Sequence, residues 1–244
     1  MFSLFKKTYL IDLIPEGFCD IHNHVIQNID DGSKSLENSF ELISEMQNIG
    51  IEKIVATPHV MENVWENSSE FIQDQSSNLN KFLKKKGVSP IKYGAEYMLD
   101  ENFKKLLKSD DILPIYKKYI LVELSYFNAP LDLFETLFNI QVSGYKPILA
   151  HPERYNYYHQ NIEFYLKLKN AGCMFQLNLL SLSRHYGNEV QKTAYRLLKN
   201  NLYDFTGSDI HNHYHIKKIK EITIPKKYVE LVKNSLDNNL AFID

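Results

Sequence analysis

Phe18-Cys19-Asp20-Ile21-His22-Asn23-His24 reads as a short buried strand that runs out into a metal site. Strand residues two apart point to one face, so Asp20, His22 and His24 project together. Two imidazoles and a carboxylate on one face suit a borderline divalent metal such as Zn, Mn or Fe. A lone His-x-His on a solvated strand would carry no such meaning, but the rest of this chain repeats the pattern. Apolar runs of strand length end at Thr57-Pro58-His59, Gly94-Ala95-Glu96, Val122-Glu123, Ala150-His151 and Ser208-Asp209-Ile210-His211.

Working outward, apolar residues of strand type predict strands at 18–24, 53–57, 91–96, 119–123, 147–151, 173–178 and 203–208. Helical spacing fills the intervals at 36–49, 69–86, the first part of 101–118, 131–142, 162–170 and 189–199, with one more helix in the tail at 228–237. Ser35 can cap the first helix, and Gly50 ends it. Strand–helix alternation of this kind makes a parallel sheet covered by helices. With 244 residues a (β/α) barrel of about seven strands is favoured over an open doubly wound sheet. No Gly-rich dinucleotide or phosphate-loop fingerprint follows any strand. A barrel carries its working residues on the rim at the strands' C-terminal ends. His22, His24, His59, Glu96, Glu123, His151, Asp209 and His211 all fall there. Residues 1–17, closed by Pro15-Glu16-Gly17, read as an N-terminal extension, and 18–244 as a single domain.

Composition narrows the partners. The chain balances 28 basic against 30 acidic residues, which is no nucleic-acid footprint. No apolar run reaches membrane-spanning length, and residues 1–7 lack the order of a secretory signal. Cys19 and Cys173 sit in apolar runs and read as buried free thiols of a reducing cytoplasm.

Taken singly, each rim residue has a plainer reading: a buried His can hold a carbonyl, and a strand-end carboxylate can cap a helix. Together they would crowd acids and imidazoles into one dry mouth, a cost that cations relieve. The donors outnumber one coordination sphere, so two or three metals are implied, with Mn, Fe or Zn favoured over Ca or Mg. Clustered divalent metals activate water and clamp a phosphoryl group. Arg154, in His151-Pro152-Glu153-Arg154, could fork onto phosphate oxygens; its plainer role is to brace a loop. A thiol route is closed, because the sixth residue after Cys19 is Val25 and after Cys173 is Leu179, where a cysteine phosphatase needs Arg. No Gly-x-Ser-x-Gly elbow supports a serine hydrolase.

Asp20-Ile21-His22-Asn23-His24, Thr57-Pro58-His59, Gly94-Ala95-Glu96, Val122-Glu123, His151-Pro152-Glu153-Arg154 and Ser208-Asp209-Ile210-His211-Asn212 resemble, in order and spacing, the motifs of the PHP (polymerase and histidinol phosphatase) family. The Asp30-Asp31-Gly32 loop and the His-Pro-Glu-Arg motif resemble its CpsB/YwqE/CapC-type branch of bacterial protein-tyrosine phosphatases. The resemblance implies a distorted seven-stranded barrel with three metals, Mn first. One metal would take His22, His24, Glu96 and Asp209. A second would share Glu96 and add Glu123 and His151. A third would take His59, His211 and an acid of the Asp30-Asp31 loop, with Asp31 chosen. It further implies that Arg154 binds phosphate, with His151 and Asp209 beside it in the catalytic centre. The implied substrate is phosphotyrosine on a bacterial tyrosine kinase that controls capsule or exopolysaccharide export. Members of this branch usually carry a further Arg just after the Asp-x-His-Asn motif; residues 213–218 here have none, leaving His215, Lys217 or Lys218 to serve.

Aromatic residues in the rim loops, Tyr126-Phe127 and Tyr155, Tyr157 and Tyr158, could stack on a phosphotyrosine ring, with Phe127 and Tyr155 the chosen contacts. Alternatives are a small-molecule phosphatase, such as one acting on histidinol phosphate, and a metal-binding regulator without turnover.

Overall fold

The computed structural model describes residues 7–242; of the predicted extension, residues 1–6 lie outside that range. The strands are β1 (Thr8–Tyr9), β2 (Cys19–Asp20), β3 (Lys53–Ala56), β4 (His59–Val60), β5 (Lys92–Tyr93), β6 (Glu96–Met98), β7 (Tyr119–Glu123), β8 (Lys146–Ala150), β9 (Met174–Asn178), β10 (Phe205–Gly207) and β11 (Thr223–Ile224). The helices are α1 (Leu36–Gln47), α2 (Ser69–Lys85), α3 (Glu101–Lys108), α4 (Leu133–Val142), α5 (Ile162–Asn170), α6 (Asn188–Lys199), α7 (His213–Glu221) and α8 (Val229–Asp237).

Strands pair in parallel in the order β10-β9-β8-β7-β6-β4, and a second parallel sheet runs β2-β3-β5. The central strands β7, β8 and β9 are covered on both faces, which is why they read as near-continuous apolar runs. All seven predicted strands are found; the third is broken in two, and the second is followed by a short further strand. Thr57-Pro58 separates β3 from β4, and Gly94-Ala95 separates β5 from β6. Proline offers no N–H to a ladder, so a break at Pro58 is expected. Backbone bonds from Gly94 N to Ala56 O (2.9 Å) and from Glu96 N to Pro58 O (3.0 Å) keep the two runs side by side across the break. The strands are thus divided between two parallel sheets, where the sequence leads to the expectation of a distorted barrel of about seven strands. Past the ends of β2 and β10, Asp209 N donates to His22 O (2.7 Å) and His24 N to Ile210 O (2.9 Å).

Ser35 caps α1 as predicted, its side chain accepting from Asn38 N. Helix α7 is absent from the sequence-based reading, although Asn212 caps it and Ile216 and Ile219 form its buried stripe. Its polar run His213-Tyr214-His215 hides that start. The predicted extension packs onto the domain from Thr8 onward: β1 pairs antiparallel with β11, and Leu10 is in the core. Cys19 and Cys173 are free and buried, as expected. Among the described residues no helix is long and apolar enough to cross a membrane.

Candidate metal centre

Strand register assembles the cluster. His59 opens β4 directly opposite Glu96 at the start of β6, so imidazole and carboxylate stand side by side. Glu123 ends β7, and His151 follows β8. The bonds between 22–24 and 209–210 bring His22 and His24 against Asp209 and His211. His151 and Asp209 take left-handed backbone with φ of 35° and 52°. For residues other than glycine this strain costs about 1–3 kcal/mol and persists where the surroundings enforce it, commonly at functional sites.

Nine side chains converge in four overlapping groups whose donor atoms lie within 4.8 Å of one another. These are His24, Asp31, His59 and His211; His22, His24 and Asp209; His22, Glu96 and His151; and His59, Glu96 and Glu123. They are the nine predicted ligands. The grouping differs from the expected one in setting Glu123 with His59 rather than with His151. Glu96 sits at the middle. Its Oε2 lies 3.1 Å from His22 Nε2, 3.5 Å from His24 Nε2 and 3.2 Å from His59 Nδ1, and its Oε1 lies 3.2 Å from His151 Nε2.

The chain's own groups leave this cluster unsatisfied. Glu96 Oε2, Glu123 Oε1 and His59 Nδ1 are buried and crowd one another at 3.0–3.2 Å without a well-directed hydrogen bond, a costly state for polar atoms. Converging lone pairs of carboxylate and imidazole fit divalent cations of the Mn, Fe or Zn type. Protonation also shows the strain. Burial raises the Glu123 carboxyl and the charge of Glu96 adds to this, whereas His22 and His59 overcome burial to hold Glu96 well below the usual range. Burial would lower His22, but Glu96 and Asp209 raise it to about 9. His24 is raised against burial chiefly by Asp30, and His59 is raised by Glu123 and Glu96 against burial and the His24 charge. Burial and Arg154 push His151 down to about 4, so it is neutral at pH 7, as a ligand imidazole must be.

In the metal-free chain three histidines are therefore more basic folded than unfolded. Their stabilisation is complete below the unfolded value of 6.5 and is lost as pH climbs towards 9. We expect the Tm of metal-free protein to fall across that window, and metal uptake within it to release protons. Calorimetry and a pH indicator read the two effects; a metal-free Tm that rises from pH 6.5 to 9 would contradict a protonated cluster.

A second layer of side chains fixes the first. Asp30 Oδ2 lies 2.8 Å from His24 Nδ1, so Asp30 orients that ring while Asp31 Oδ1 faces His211 Nε2 at 3.3 Å. Gln176 Oε1 does the same for His22 Nδ1 at 2.8 Å, and Asn178 Nδ2 donates to Asp209 Oδ2 at 2.8 Å. Partners of this kind set tautomer and ring angle. Glu153, wholly buried, accepts from Asn178 N and Tyr203 OH and so ties the loop after β8 to β9. At Gly207 a Cβ would stand 2.6 Å from His22 Cβ, so the close approach of β10 to the cluster requires glycine.

A cavity of about 460 Å³ opens above the cluster, walled further by Met61, Trp65, Tyr126, Arg154, Tyr186 and His215. The Arg154 guanidinium lies between Tyr126 and Tyr186, 4.8 and 4.1 Å from the ring centres, and donates from Nη1 to Asp209 Oδ2 at 2.7 Å.

Several expectations change. Asp20 does not join the cluster, because Ser208 N, Ser208 Oγ and Asn23 Nδ2 saturate its oxygens. Tyr155 is wholly buried rather than on the rim: its hydroxyl donates to Ala150 O and accepts from Leu124 N, bracing β7 and β8. Tyr158 is buried likewise, and Tyr157 OH donates to Ser125 O. Phe127 is 91% exposed and stands outside the cavity lining, as does Lys217 on the outer face of α7. Of the residues offered in place of a second Arg, only His215 lines the cavity; Lys218 pairs with Glu221. Trp65, Met61 and Tyr186 are absent from the sequence-based list, since they lie in loops without periodicity. Gln176 and Asn178 carried a signal: two polar residues, two apart, inside a buried strand.

The sequence from residue 18 to 236 matches the family model for capsular polysaccharide synthesis, CpsB/CapC. A relative named CapC from Staphylococcus aureus is 30% identical over 226 residues, covering 90% of this chain and 88% of its own. The tyrosine-protein phosphatase YwqE of Bacillus subtilis is 30% identical over 200 residues, covering 79% of this chain and 77% of its own. A solved structure from the study of YwqE and of CpsB from Streptococcus pneumoniae, described as metal-dependent tyrosine phosphatases, superposes with a TM-score of 0.81 at 27% identity. It covers 92% of this chain and 93% of the other. An amidohydrolase from Mycoplasma synoviae, at 10% identity and a TM-score of 0.54 over 97% of this chain and 91% of its own, shares the fold alone. The chain belongs to the CpsB/CapC family.

Proposed function

We propose that this chain removes phosphate from tyrosine in a protein substrate, the phosphorylated tail of a bacterial tyrosine kinase that governs capsule or exopolysaccharide export. The chain is a metal-dependent phosphoric monoester hydrolase, as its relatives are named. The observation that carries the reading is the nine-donor cluster with a guanidinium already fixed at its mouth. Three divalent ions, Mn before Fe or Zn, are the proposed occupants. His22, His24, Asp31, His59, Glu96, Glu123, His151, Asp209 and His211 would hold them. We read the joined sheet ends as a distorted seven-stranded barrel with this site on its rim, residues 18–244 as its single domain, and the cytoplasm as its location.

When bound, such ions supply an activated water and positive charge for a phosphoryl group. The remaining work belongs to the chain. Arg154 offers paired N–H donors to phosphate oxygens, held in place by the two tyrosine faces. Asp209 and Asn178 keep the acid edge of the mouth fixed. Tyr126 OH sits 3.4 Å from His151 Nε2 and closes the site on that side.

The decisive experiment is a panel with Mn containing a phosphotyrosine peptide, a phosphoserine peptide and histidinol phosphate. We expect phosphotyrosine to be preferred and chelation to abolish turnover. Equal cleavage of all three would remove the protein-tyrosine reading, and activity that survives thorough chelation would remove the metal.

A further inference from the structure

The two sides of the cavity are built differently. On the β8 side Arg154 is clasped by Tyr126 and Tyr186, whose ring faces are therefore engaged by the guanidinium. Among the described residues, the β4 side carries no lysine or arginine on its wall. It carries Trp65 and Met61, the two ends of a tight turn in which Trp65 N donates to Met61 O (3.0 Å) and Met61 N to Trp65 O (2.9 Å). β4 and β8 stand three places apart in the sheet, so the turn and Arg154 rise from separate parts of the rim.

The turn is fixed from several directions. Asn63 takes the left-handed conformation at its tip, with φ of 63°. Asn67 Nδ2 donates to His59 O at 2.8 Å and to Ile29 O at 2.9 Å, locking the base of the turn to the His59 and Asp30-Asp31 loops. Glu62 N donates to Asp100 Oδ2 at 2.8 Å. Trp65 is the chain's one tryptophan. It is not part of the apolar core; it is partly exposed and stacked on His59, with centroids 4.6 Å apart and planes 13° apart. A large flat indole held at the edge of a 460 Å³ cavity is a ready-made face for another ring.

We propose that Trp65, with Met61 beside it, is the wall that receives the aromatic ring of the leaving group, so that Trp65 sets the preference for aryl over alkyl phosphate esters. This rests on the phosphomonoesterase reading above. The roles separate across the mouth: the tyrosine pair holds the phosphate-binding cation, and the turn after β4 reads what the phosphate is attached to. Trp65 is a specificity residue here, acting by ring contact, with Met61 as a polarizable neighbour that fits an aromatic edge.

The test uses the whole metal-loaded chain. In Trp65→Ala the kcat/KM ratio of phosphotyrosine peptide to phosphoserine peptide should fall about five- to tenfold, the size of one aromatic pair. Trp65→Phe should recover most of the ratio, because a ring face returns. Binding provides a readout apart from turnover: a nonhydrolysable phosphonate analogue of phosphotyrosine should change the emission of the one tryptophan, and inorganic phosphate should change it less. An unchanged ratio in Trp65→Ala overturns the proposal. So does loss of metal from that variant with both substrates falling alike, which would assign Trp65 to supporting His59. If the unaltered chain cleaves no phosphotyrosine peptide at all, the functional reading fails first, and the phosphonate titration still decides whether the indole meets an aryl ligand.

Discussion

Glu96→Gln is expected to lose metal and to lower kcat/KM by roughly 10³-fold or more. The geometry singles out this residue among the nine. Its two oxygens lie within 3.5 Å of four imidazoles, those of His22, His24, His59 and His151. It shares one donor group with His22 and His151 and another with His59 and Glu123. The amide is nearly isosteric, so packing in this fully buried position is kept, while the charge that holds the cluster together is removed. Two further effects separate this from simple unfolding. His22 owes its raised basicity first to Glu96, so in the metal-free variant it should titrate lower than about 9. Glu123 is raised in part by the Glu96 charge, so its carboxyl should become more acidic. Elemental analysis of the purified protein, histidine NMR of the metal-free form and steady-state kinetics cover the three claims. A variant that keeps its full metal content would show that the carboxylate is not shared between ions.

Much of this arrangement was legible because strand ends are legible. A run such as Tyr119-Ile120-Leu121-Val122-Glu123 announces both a buried strand and the side chain at its end. In a parallel sheet every such end lies on one rim. Eight members of the cluster followed from that, Asp31 came only from the family resemblance, and the internal pairing followed from neither. Whether Glu123 meets His59 or His151 depends on the break at Thr57-Pro58 and on the His59–Glu96 register, which no local pattern encodes. Asp30 and Asp31 show the same limit on a finer scale. Both are acids in one loop; the turn closed by Gly32 N on Asp30 Oδ1 sends Asp30 to the back of His24 and leaves Asp31 open to His211. The aromatic wall was hardest to read. A tyrosine directly after Arg154 is equally plausible on a rim or in a core, and Tyr155 went to the core because its hydroxyl finds Ala150 O and Leu124 N there. Trp65 lies in a polar loop without periodicity and owes its place to a hairpin contact.

Arg154→Ala is expected to keep its metal and still lose about 10²- to 10³-fold in kcat/KM, the range found when one preorganised donor to a developing anion is removed. Among the described residues, Arg154 is in none of the donor groups, and its hydrogen bond into the cluster goes to Asp209 Oδ2. That oxygen keeps Asn178 Nδ2 at 2.8 Å after the substitution, and Asp209 Oδ1 still faces His22 and His24 at 3.4 Å each. The acid therefore stays placed and charged. What disappears is the forked donor that Tyr126 and Tyr186 hold in position before any ligand arrives. Inhibition by inorganic phosphate should weaken in parallel with the kinetic loss, since both report the same donor. Arg154→Lys restores charge without the planar fork or the stacked geometry, so it should recover no more than about tenfold of the deficit. His151 adds an internal check: the Arg154 charge helps burial hold its imidazole near 4, so in metal-free Arg154→Ala that ring should titrate higher. Metal lost together with activity, or unchanged kinetics with phosphate inhibition intact, would show that Arg154 braces the loop after β8 and does not meet the phosphoryl group.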